Sequence, residues 1–67
     1  MNEQEWPYKD AYEQNLDIGD LVKFVGDGPT GTVFKIVIFT IDGATALIYA
    51  SPNKKYWVPT RKVVWVR

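Results

Sequence analysis

Apolar and polar positions alternate along most of the chain with the two-residue period of a strand that buries one face. Val22 and Phe24 are separated by Lys23, and the first strand is expected from about Asp20 to Val25. A second is expected from Thr32 to Thr40, where Val33, Phe34, Ile36, Val37, Ile38 and Phe39 supply the β-branched and aromatic residues that strands favour. After Lys35 its apolar residues fall on both faces, so this strand should bend across a barrel and let each half contribute differently. Three shorter strands follow, at Thr45 to Ala50, Lys55 to Val58 and Val63 to Val66.

The stretches between them are rich in turn formers. Gly26-Asp27-Gly28-Pro29-Thr30-Gly31 joins the first two strands, its glycines open to positive φ and Pro29 fixed in φ. Asp42-Gly43 between apolar runs predicts a two-residue hairpin with a type I′ turn. Ser51-Pro52-Asn53-Lys54 makes the next turn. Pro59 has to end its strand or occupy a place where no ladder bond is needed, and Thr60-Arg61-Lys62 fits one tight turn. Closely spaced short strands joined by one turn after another predict a small all-β barrel.

Residues 1–16 have another character. Trp6, Tyr8 and Tyr12 lie among acids and amides, with Pro7 between the first two. Asp10 to Leu16 suits one or two helical turns that put Tyr12 and Leu16 on one face. The stretch is too short to be a stable helix alone. Its aromatics therefore need a surface, either the barrel or a partner protein. The expected division is an acidic aromatic arm over 1–16 and a barrel over 17–67.

Composition narrows the function classes. With 67 residues the chain makes one domain, and a domain of this size buries only roughly 60% of its unfolded surface. A deep substrate cleft is not expected. Cysteine and histidine are both absent, which removes the thiolate, the usual metal ligands and the commonest general base. No cofactor and no metal are expected. Neither is a membrane span, since no apolar run approaches ~20 residues, and the acidic start is unlike a signal peptide. The expected location is cytoplasmic. Net charge is zero but uneven: residues 1–20 carry −5 and residues 43–67 carry +5. That asymmetry suits an electrostatic partner or mutual neutralisation within the molecule.

Gly19-Asp20-x-Val22-x-Phe24-x-Gly26 followed by Gly31-x-Val33-x-x-Ile36 resembles the KOW motif of ribosomal and transcription-elongation proteins. Trp57-Val58-Pro59-Thr60, then Val63, resembles the close of an SH3-like barrel, where a proline and a helical turn lead into the last strand. Together these cover residues 19–66 and imply a five-stranded SH3-like barrel that contacts RNA or ribosomal or polymerase partners through loops at one end. The sequence departs from KOW proteins in its Gly26-Asp27-Gly28-Pro29 loop, which lacks their lysines. A basic surface has to come from the C-terminal half.

Lys54, Lys55, Trp57, Arg61 and Lys62, with Tyr56 among them, are the leading candidates for that surface. Cationic side chains neutralise phosphates and an adjacent aromatic stacks on an unpaired base. If Val58 is core, alternation places Tyr56 on its side and Trp57 outside beside Lys55. The bland reading is a solvated turn and an ordinary strand. Phe39, Tyr49 and Trp65 are candidates for a cation-binding aromatic cage of the kind found in Tudor-type barrels, or for plain core. Trp6, Tyr8 and Tyr12 read as packing residues or as a protein-binding arm. Asp20, Asp27 and Asp42 lie in or beside turns, where aspartate serves the backbone, and no nucleophile–base pair or metal spacing is visible. Type II dihydrofolate reductases are similar short barrels, but their Val-Gln-Ile-Tyr stretch would fall on Lys55-Tyr56-Trp57-Val58, which does not match. The expected function is therefore a non-catalytic module that binds RNA or a protein of the transcription or translation machinery. The alternative is a protein–protein adaptor or inhibitor, of the kind phages encode, acting through the acidic arm.

Overall fold

The computed structural model describes residues 8–66. Five strands appear where the alternation places them: β1 (Leu21–Phe24), β2 (Phe34–Phe39), β3 (Thr45–Ser51), β4 (Lys54–Pro59) and β5 (Val63–Trp65). Thr60–Lys62 forms one turn of 3-10 helix between β4 and β5. All pairings are antiparallel and the strand order is β4-β3-β2-β1-β5. The fold is thus all-β, in the arrangement of a small SH3-like barrel. The barrel is not closed: among the described residues β5 pairs with β1, and no ladder joins it to β4.

One face of the curled sheet supplies the core. Val22, Phe34, Ile36, Ala46, Ile48, Val58 and Val63 are buried there together with Leu16. Register explains the selection, because Ile36 lies opposite Ile48, which lies opposite Tyr56, while Phe39, Ala46 and Val58 make the next inward row. The ladder slips between Ile36 and Ile38, leaving Val37 as the extra residue of a bulge. After the bulge Ile38 turns outward opposite Leu47 and Phe39 turns inward. That is why β2 is apolar on both faces: a bulge bends the strand and resets the alternation.

The Asp42-Gly43 connection differs from the expected two-residue type I′ hairpin. That turn needs positive φ at both residues, and only Gly43 has it, at 76°. The loop instead spans Ile41 to Ala44 inside the Thr40–Thr45 pair, with the Gly43 N–H donating to the Thr40 carbonyl at 2.9 Å. The Asp42 carboxylate accepts from the Ala44 N–H at 3.0 Å and the Thr40 hydroxyl at 2.7 Å. These bonds satisfy the longer loop from within, and side-chain capping of this kind competes with the tighter turn.

The expected helix at Asp10 to Leu16 is not formed. Lys9 and Asn15 make an antiparallel bridge, so the segment is a narrow hairpin with Glu13 at φ 62° near its tip. Asp10 drives this outcome. Its Oδ1 accepts from the N–H groups of Tyr12 (2.9 Å) and Gln14 (2.8 Å), a local alternative to helical bonding. Leu16 is buried while Tyr12 is exposed, whereas a helix would have put both on one face.

This hairpin docks on the free side of β5. The Ala11 N–H donates to the Val63 carbonyl at 2.9 Å, and the Trp65 N–H donates to Asp10 Oδ2 at 2.9 Å. The Tyr8 ring stacks on Phe39 with centroids 4.1 Å apart.

Candidate functional site

The open seam of the barrel holds a groove of about 390 Å³, bordered by Phe24, Asp27, Phe34, Lys54, Tyr56 and Trp57. Its floor is Phe34, buried in β2. Phe24 meets that ring edge-on from β1 at 5.5 Å, and Tyr56 does so from β4 at 5.8 Å. Edge-to-face contacts of this kind fix ring orientation as well as burying area. The walls are therefore preset by core packing while one side of the trough stays open.

β4 controls access. The Thr60 N–H donates to the Ala44 carbonyl at 3.0 Å, and antiparallel ladders alternate in the direction of their main-chain groups. With Thr45 opposite Pro59 and Leu47 opposite Trp57, the main-chain groups of Lys55, Trp57 and Pro59 face away from β3. Pro59 thus occupies a place where no ladder donor is needed. Because β4 is an edge strand, both Tyr56 and Trp57 border the groove, although their side chains alternate. Trp57 is 58% exposed, a large apolar surface left in water.

The basic residues picked out in the sequence are distributed around this strand. Lys54 lies on the groove with Trp57. Lys55 sits on the outer face, in a cross-strand row with Tyr49 and Lys35. Arg61 is on the 3-10 turn and approaches Glu13 of the arm at 3.9 Å, both side chains largely in water. An exposed ion pair at that distance contributes little to stability. Lys62 accepts the Val25 N–H through its carbonyl at 3.0 Å, which brings the turn beside the end of β1. Lys54 thus shares the groove with the tryptophan and Lys55 precedes it on the same strand, while Arg61 faces the arm and Lys62 lies beside the end of β1.

The aromatic trio Phe39, Tyr49 and Trp65 is not assembled into a cage. Phe39 carries Tyr8, Tyr49 stands exposed among lysines, and Trp65 packs against the core from β5. Of the arm aromatics, Tyr12 is exposed, Tyr8 is part of the packing, and Trp6 lies outside the described residues. Among the described residues no group of three or more carboxylates could hold a metal ion. No helix among them is long and apolar enough to cross a membrane.

Phe24, Phe34 and Asp27 were not legible as site residues. Phe24 read as a strand residue and Phe34 as part of a strand apolar on both faces, both of which pack in or against the core, and the acid read as turn chemistry. The usable signal was the glycine-rich loop itself, since loops on a rigid scaffold are where binding residues concentrate. In comparisons with protein families, with curated proteins and with solved structures, the chain matches none. The geometry of the groove therefore carries the functional reading.

Proposed function

We propose that this chain is a non-catalytic module that binds unpaired RNA across the groove between the β1–β2 loop and β4. The observation that carries this reading is the open aromatic trough with Trp57 exposed on its rim, Lys54 on the same groove and Lys55 on the outer face of the same strand. Base stacking on an aromatic contributes about 1–3 kcal/mol per base, and lysines neutralise the adjoining phosphates. Nothing in this role calls for a nucleophile or a cofactor, and an RNA ligand agrees with a cytoplasmic protein. The adaptor reading through the arm is weaker, because Tyr8, Asp10 and Leu16 are committed to the arm's own docking.

The test is fluorescence anisotropy of a labelled single-stranded RNA titrated with the full chain at several salt concentrations. Trp57→Ala should weaken binding at least about fivefold, the low end of a stacking interaction. Lys54→Ala with Lys55→Ala should weaken it further. The same pair should flatten the salt dependence by about 0.7 in log–log slope for each phosphate left without its lysine. Affinity unchanged in both variants would discard the reading.

A further inference from the structure

We infer that Asp27 makes this groove selective for guanine among unpaired bases. The inference rests on the RNA reading above and adds a specificity residue to it. The chain has five aspartates, and four of them commit their carboxylates to nearby N–H or O–H groups. Asp10 accepts from Tyr12, Gln14 and Trp65; Asp17 from the Ile18 N–H; Asp20 from the Asp17 N–H; Asp42 from Ala44 and Thr40. Asp27 alone has a carboxylate with no such partner among the described residues, and it alone borders the aromatic groove.

The loop fixes the main chain that carries this exposed carboxylate. The Asp27 N–H donates to the Phe24 carbonyl at 3.2 Å and the Gly31 N–H to the Gly28 carbonyl at 3.1 Å. Lys23 ties the loop down by donating from Nζ to the Gly28 carbonyl at 2.8 Å. Gly31 passes so close that a Cβ there would lie 2.5 Å from the Asp27 Cβ. Only glycine leaves Asp27 in this position.

A carboxylate accepts hydrogen bonds and donates none. Beside a phosphate it repels, so in an RNA groove its place is against a base edge. Guanine presents two adjacent donors, N1–H and the N2 amino group, which match two carboxylate oxygens. Uracil presents one N–H between two carbonyls. Adenine and cytosine each set a ring-nitrogen lone pair beside their amino group, which faces the carboxylate unfavourably. A guanine stacked on the aromatic wall therefore gains two bonds that no other base can make. Lys54 on the same rim disfavours a cationic occupant and suits the phosphate of that nucleotide.

The experiment compares oligouridines of equal length with guanine, adenine, cytosine or uracil at one central position, binding to the full chain. The guanine oligomer should bind at least about fivefold tighter, the low end of a bidentate base contact. Inosine, which lacks the N2 amino group, should lose part of that advantage. Asp27→Asn should abolish the preference for guanine, bringing the guanine oligomer down to the level of the other three. Gly31→Ala, which displaces Asp27, should reduce the preference too. Equal binding of all four oligomers would overturn the guanine assignment and leave the RNA reading standing. So would an Asp27→Asn variant that weakens every oligomer alike, the mark of a merely structural role. No binding of any oligomer would overturn both.

Discussion

Asp10 is the residue on which the N-terminal hairpin turns. It is 0% exposed, and its two oxygens gather three main-chain N–H groups, two from its own hairpin and one from Trp65. Removing the acceptor strands three part-buried donors, each at the low end of about 1–3 kcal/mol. Asp10→Ala is therefore expected to destabilise the protein by about 3 kcal/mol in urea denaturation, and Asp10→Asn by less because one carbonyl oxygen survives. Asp42 acts locally. Hydrogen bonds from the Ala44 N–H and then the Thr40 hydroxyl hold its pKa below the ordinary 3.8. A lowered folded-state pKa gives stability that is present above the unfolded value and lost as pH falls through the folded one. The deficit of Asp42→Asn relative to the native chain should thus be full at neutral pH and shrink below about pH 3.8 in a denaturation series. A deficit that stays the same in strong acid would assign it to packing. Nothing in the sequence distinguishes Asp10 from its acidic neighbours. The distinction arises only when Trp65, far along the chain, arrives beside it.

Among the elements, β4 is the one whose two sides serve different ends. Val58 is buried and Tyr56 braces Phe34, whereas Trp57 lies outward opposite Leu47. Trp57→Ala should accordingly alter thermal stability only slightly, while Ile48→Ala, in the buried row next to it, should cost about 2–5 kcal/mol. A deficit of the Ile48 size from Trp57→Ala would mean that the indole supports the fold. The strands were legible because alternation and β-branching report burial of one face directly. Pro59 was legible too, since a missing donor has few places in a sheet. The Asp10 to Leu16 helix failed because Asp10 satisfied main-chain donors locally before a helix could. The Asp42-Gly43 turn failed because Thr40 joined the loop. In both cases a side-chain acceptor decided the backbone. Periodicity is blind to that.

At the scale of the molecule, the arm and the barrel behave as one folded unit over the described residues. Leu16 lies in the core and Ala11 extends the β5 edge. A chain lacking residues 1–16 should therefore unfold at lower temperature and scatter light more strongly, rather than leave an intact barrel. Among the described residues the charge asymmetry of the sequence is only weakly neutralised, through the exposed Glu13–Arg61 pair. Raising salt should consequently change stability little, even where it changes RNA affinity strongly. The groove was half legible: Lys54 and Trp57 stood out within the basic aromatic cluster, although alternation set Trp57 beside Lys55 rather than Lys54, while Phe24 and Phe34 were hidden by their double role as wall and core.

The capped β5 edge also fixes how many ways this sheet can be extended. A sheet with two bare edges is a monomer for endless growth, each molecule passing the ladder on to the next. Here one end is sealed by Ala11 and Asp10, so among the described residues β4 is the edge left to accept another strand. Any edge-to-edge pairing stops at two molecules. The arm is in this sense a chain terminator, separating a protein that pairs at most once from one that polymerises.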